Sequence, residues 1–123
     1  MIFKIAFASS DGVRIDRHFG QAESFYIYEI DTDKLDANET DKREVTSPCL
    51  GGAHYESAFD SVLDTLQDVS AIVAQRAGQG AIDVIKKRDI RIYQIPLKIE
   101  EALCIILEDE TWEADKWQFH TRS

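Results

Sequence analysis

His18, Cys49 and His54 carry the side chains in this chain best suited to bind soft or borderline metals. Imidazole and thiolate fit iron, copper, zinc or an iron–sulfur cluster. A closed structural zinc site ordinarily takes four such ligands, and the spacing from Cys49 to His54 is not that of a zinc finger. The set fits an open site that holds a metal cluster by one or two bonds better than it fits a structural staple. Arg14, Arg17 and Arg76 add positive charge. Gly78 begins a predicted helix, whose free N–H groups favour an anion. Together these groups suit an anionic ligand. Each also fits an ordinary role: His18 a polar loop residue, Cys49 a partly buried thiol, His54 a residue at a helix start, Gly51–Gly52 a turn.

What matters next is whether the chain brings these residues together. Residues 2–9 are apolar at nearly every position, as in a central strand covered on both faces. Residues 10–23 are polar and hold Gly12 and Gly20, a long loop. Residues 24–30 (SFYIYEI) read as a second strand, 31–41 as a solvated connection, and 42–46 as a weak third strand near an edge. Pro48 and Gly51–Gly52 punctuate a loop. Phe59, Val62, Leu63 and Leu66 then fall on one helical stripe. A buried strand at 70–75, a helix at 78–88 with Ile82 and Ile85 on one side, and a strand at 90–95 follow. Ile99, Ala102, Leu103 and Ile106 mark a last helix, in which Cys104, between Leu103 and Ile105, is expected to pack in the core.

The order β-β-β-α-β-α-β-α predicts an α/β fold: a five-stranded mixed sheet with helices on both faces. Three close-set strands should pair antiparallel, and each later α–β unit should add a parallel strand through a right-handed crossover. In that arrangement the loop of His18, the loop of Cys49 to His54 and the loop from Arg76 to Gly80 all reach one edge. It is the edge outside the carboxyl ends of the parallel strands, where open α/β sheets bind ligands.

Composition narrows the function. The 123 residues suit one domain, expected at 1–109, with an acidic and aromatic tail at 110–123. Trp112, Trp117 and Phe119 in that tail fit packing back onto the domain or a contact with a partner. A net charge of −9 argues against non-specific nucleic-acid binding and against adhesion to an anionic membrane. No apolar run is long enough to span a bilayer, and MIFKIAFASS reads as a strand rather than a signal peptide. The two cysteines make no disulfide framework, so a reducing, cytoplasmic setting is expected.

Three ordered blocks resemble the dinitrogenase iron–molybdenum cofactor biosynthesis family, which includes NifX and the C-terminal domain of NifB. They are KIAFASSDGVRIDRHFGQAESFYIYEID, CLGGAHYESAF and DVSAIVAQRAGQGAIDVIKKRDIRIYQI, and the resemblance covers about residues 3–107. It implies a ribonuclease-H-like fold and non-catalytic binding or carriage of iron–sulfur or iron–molybdenum cofactor precursors, with cofactor-assembly or acceptor proteins as partners. It carries His18 over as a cluster ligand. Cys49 and His54 carry over less securely, because not every member has them. Members often have a cysteine before strand 4, where this chain has Val69.

Two alternatives remain open. One is a protein-interaction or small-anion-binding domain of the same fold with no cluster role. The other, a metal-dependent nuclease, needs several carboxylates around two divalent ions. Residues 2–10 hold no acid and strand 4 ends in Gln75–Arg76, so Asp11 and Asp16 are too few.

Overall fold

Ile2–Ala8 form β1, whose alternate side chains enter two different cores. Phe3, Ile5 and Phe7 join one buried cluster, Ala6 and Ala8 the other. A strand covered on both faces needs apolar residues at consecutive positions, which is why IFKIAFA shows no polar alternation. The computed structural model describes residues 2–31, 33–45 and 55–108.

β1 pairs antiparallel with β2 (Ser24–Asp31), from Ile2 opposite Asp31 to Ala8 opposite Phe25. β2 pairs antiparallel with β3 (Asp36–Glu44). On its other side β1 runs parallel to β4 (Ala71–Ala74), which runs parallel to β5 (Arg91–Gln94). The sheet is five-stranded and mixed, in the order β3-β2-β1-β4-β5. Helices α1 (Tyr55–Thr65) and α2 (Gln79–Lys87) cover one face through Val62, Leu63, Ala81, Val84 and Ile85. α3 (Ile99–Glu108) covers the other through Ile99, Ala102 and Ile106. The expected order of elements and the helices on both faces are therefore observed. Among the described residues no helix is long and apolar enough to cross a membrane.

Two expectations need correction. The third strand is not 42–46: it starts at Asp36, inside the stretch expected to be a solvated connection. The sequence DANETDKRE is exposed at seven of its nine positions, so it carries no apolar alternation. Its backbone ladder to β2 makes it a strand, and its charges suit an edge that must not pair with a second chain. The register slips between Ile27 and Tyr28, which face Asp41 and Glu39 and leave Thr40 over as a bulge. Cys104, expected in the core, is exposed. Its sequence neighbours do not share its helical face; Ile99, Ala102 and Ile106 face the sheet, and Cys104 lies off that stripe.

Charged side chains fasten the edge strand. Arg43 on β3 donates to both carboxylate oxygens of Asp68, at 2.9 Å to Oδ2, and to the Thr65 carbonyl at the end of α1 at 2.8 Å. Lys4 of β1 reaches the same Asp68 at 3.2 Å. The hydrogen bonds from Arg43 hold the Asp68 carboxyl well below its ordinary value of 3.8. Arg88, beyond α2, pairs with Asp60 and Asp64 on α1 and ties the two helices of that face.

The Asp68 carboxylate is thus more acidic folded than unfolded. It stabilises the fold above the ordinary carboxylate value, and that share is lost as pH falls through the lower folded value. Asp68→Asn should cost about 1 kcal/mol near neutral pH, after allowing for solvent screening, and the gap to wild type should close below pH 3.8. Denaturant titrations across that range measure both; a gap that persists unchanged in acid contradicts the pairing. Gly12 makes a second demand. It sits at φ +78°, and a Cβ there would lie 2.8 Å from Tyr26 Cε2. Gly12→Ala should lower stability by about 1–3 kcal/mol, visible as a fall in thermal midpoint.

Candidate functional site

The loop leaving β1 is built from its own short polar side chains. Ser9 is fully buried, and its Oγ accepts the N–H groups of Gly12 at 2.9 Å and Asp11 at 3.3 Å. Asp11 Oδ1 in turn accepts the N–H groups of Val13 at 2.8 Å and Arg14 at 3.0 Å. The bond from Arg14, then that from Val13, lowers the Asp11 pKa. Asp16 accepts both the N–H and the hydroxyl of Ser10. The only two carboxylates in residues 9–18 are therefore engaged in bracing the loop.

Two buried anchors then stretch the loop across the sheet edge. Ile15 enters the α3-side cluster, while its N–H donates to Leu97 O at 2.9 Å and Val13 O accepts from Ile99 at 2.8 Å. Phe19 enters the opposite cluster and packs at 5.9 Å from the Phe25 ring and 5.7 Å from Phe59. Between them the backbone runs parallel to the end of β4. Gln75 N–H donates to Arg17 O at 2.9 Å, Phe19 N–H donates to Arg76 O at 2.8 Å, and His18 bridges Arg76. Phe19–Gln21 close as a single 3-10 turn.

His18 is extended, at φ −69° and ψ 147°, and exposed. Its imidazole makes no capping hydrogen bond. It lines a cleft of about 490 Å³ with Gln75, Arg76, Gln94 and Pro96. Arg17, one residue earlier, faces a separate cleft of about 350 Å³ with Ser10, Glu23, Lys42 and Val45. Arg14 lies farther along the edge, in a third hollow of about 260 Å³ that shares Gln75 and Pro96 with the His18 cleft. Arg14, Arg17 and Arg76 form no ion pair among the described residues, unlike Arg43 and Arg88. Gly78 caps α2 without a side-chain bond, and the first turn of that helix carries no acidic residue, so its N–H groups open toward the same edge.

The structure thus brings His18, Arg17, Arg76 and Gly78 to one edge. Cys49, Gly51, Gly52 and His54 lie outside the described residues. Val45, the last described residue before them, donates its N–H to Glu23 O at 2.9 Å and lies at this edge. Among the described residues no three His, Cys, Asp or Glu side chains stand close enough to hold a metal ion. Sequence reasoning missed Gln75, Gln94 and Pro96, which carry no metal-binding chemistry and mark only strand ends.

The model of the family described as dinitrogenase iron-molybdenum cofactor matches residues 1–108. The chain belongs to that family. A FeMo cofactor biosynthesis protein NifB of Chlorobaculum tepidum is 32% identical over 99 residues, which are 80% of this chain and 22% of that protein. The family domain seen here is therefore matched by a fraction of a longer relative. An uncharacterized protein of Methanocaldococcus jannaschii is 28% identical over 99 residues, 80% of each chain. The apo form of the orange protein of Desulfovibrio gigas shares the fold, with a TM-score of 0.61 at 14% identity over 89% of this chain and 91% of that one.

The two neighbours Phe19 and His18 should separate by function. Phe19→Ala removes a fully buried ring and should cost about 3–5 kcal/mol. His18→Ala should leave the thermal midpoint within about 0.5 kcal/mol of wild type, because the backbone makes the bonds there. Thermal denaturation of both variants checks this, and a large loss in His18→Ala would make the imidazole structural.

Proposed function

We propose that this domain binds and carries an iron–sulfur or iron–molybdenum cofactor precursor as cargo, without acting on it chemically, as an accessory to nitrogenase-type cofactor assembly. The observation that supports it most is the presentation of His18. An exposed imidazole without a capping bond is held by backbone pairing at a cleft beside Arg76, outside the carboxyl ends of β1 and β4. Imidazole is a borderline ligand that bonds iron readily. In this reading Cys49 and His54 supply further bonds to the cargo, and Gly51 and Gly52 let the chain approach it closely. Arg17, Arg76 and the α2 start at Gly78 offset its negative charge.

Membership of the family, and the NifB relative named for FeMo cofactor biosynthesis, support the cargo. The ribonuclease-H-like kinship of the sheet, the cytoplasmic setting and the assembly or acceptor proteins as partners belong to the same proposal. Nuclease chemistry is disfavoured, since Asp11 and Asp16 are engaged by loop N–H and hydroxyl groups.

Anaerobic titration with an iron–sulfur cofactor precursor tests the reading. Wild type should develop visible absorption and retain iron through desalting. His18→Ala should lower affinity by about tenfold or more, the scale on which metal sites respond to loss even of supporting groups. Unchanged spectra and no retained iron would sink the proposal.

A further inference from the structure

Gln94 closes β5 opposite Ala74 and lines the His18 cleft. Its Oε1 accepts the Ala77 N–H at 3.1 Å, just before α2 begins. That bond decides which end of the amide does what. A backbone N–H can be met only by an acceptor, so the carbonyl oxygen is committed and the NH2 group, a double donor, is left for the cleft. Among the described residues Nε2 has no acceptor. Arg76, beside it, has donors only and makes no ion pair among the described residues.

We infer that Gln94 is a specificity-determining contact of this cleft: with Arg76 it requires outward-facing hydrogen-bond acceptors on the ligand. An anion whose surface atoms are all acceptors, such as a sulfide-faced metal cluster, meets that demand. A hydrated metal cation does not, because its water ligands point their hydrogens outward. The inference rests on the cargo reading above and adds to it a residue and a sign. It also gives the Ala77 bond a second effect: it orders the turn from Arg76 to Gly78 while it aims the amide.

Gln94→Glu is nearly isosteric and keeps an acceptor for Ala77, but it replaces the NH2 group by a charged acceptor. The probe is tetrathiomolybdate, an acceptor-only dianion followed by its visible absorption under anaerobic conditions. Wild type should bind it, Gln94→Glu should bind at least about tenfold more weakly, and Gln94→Ala should fall between. Inorganic phosphate as competitor separates the sources: strong competition marks a general oxyanion site, weak competition a preference for sulfur-faced ligands, and either supports the demand for acceptors. Amide exchange at Ala77, read by NMR without any ligand, should stay slow in Gln94→Glu and quicken in Gln94→Ala. Equal affinity in wild type and Gln94→Glu overturns the role of Gln94 and leaves that of His18 standing. No binding by wild type overturns both, and unchanged Ala77 exchange in Gln94→Ala overturns the aiming bond.

Discussion

β4 outlasts its neighbour. β1 turns away after Ala8, yet Gln75 and Arg76 continue upward with a free N–H and a free carbonyl on the side β1 has left. Backbone groups in that position need partners, and an unmet one costs about 1–3 kcal/mol where water is excluded. The chain meets the need by returning: Arg17 O accepts from Gln75 and Phe19 N–H donates to Arg76. Residues 17–19 thus take over the place that β1 vacated. The position of His18 follows from this pairing of the backbone, and its imidazole makes no capping bond.

The pairing alone would not hold a loop of this length. Two buried side chains on opposite faces of the sheet make it hold. Ile15 goes under α3 and Phe19 under α1, so the four-residue step between them must cross the sheet edge. Fully burying side chains of this size stabilises by roughly 1.5–3 kcal/mol each, more than one hydrogen bond contributes. The residues between the anchors are then free to be polar and exposed. Arg17 and His18 occupy those positions, and they point into different clefts because successive residues of an extended segment face opposite ways.

Much of this was legible in the chain. Helical stripes at Phe59 to Leu66 and Ile99 to Ile106, and apolar runs at β1 and β4, marked the order of elements along the chain, and that order implied that the His18 and Arg76 loops share one edge. What stayed hidden depends on relations that no local pattern carries. β3 is polar because it is an edge, so its residues look like a connection. Cys104 has apolar sequence neighbours but lies on an exposed face of α3. Gln94 gains meaning only from Ala77, 17 residues earlier, which the β4–β5 register brings beside it.

Charge shows the same division between what composition says and what placement does. A chain with 23 acidic and 14 basic residues would be expected to repel an anion. Its arginines, however, are sorted. Arg43 and Arg88 are neutralised by Asp41, Asp68, Asp60 and Asp64, and they hold a strand and two helices in place. Arg14, Arg17 and Arg76 stand at the carboxyl edge without an ion pair among the described residues. Beyond a screening length of about 8 Å at physiological salt, the distant carboxylates act weakly on a ligand there. The local field is set by what lies within that distance, and among the described residues that line the His18 cleft Arg76 supplies it. In the neighbouring clefts Glu23 and Glu44 stand with Arg17, and Asp16 and Glu101 with Arg14, so the positive balance among the described residues is confined to the His18 cleft.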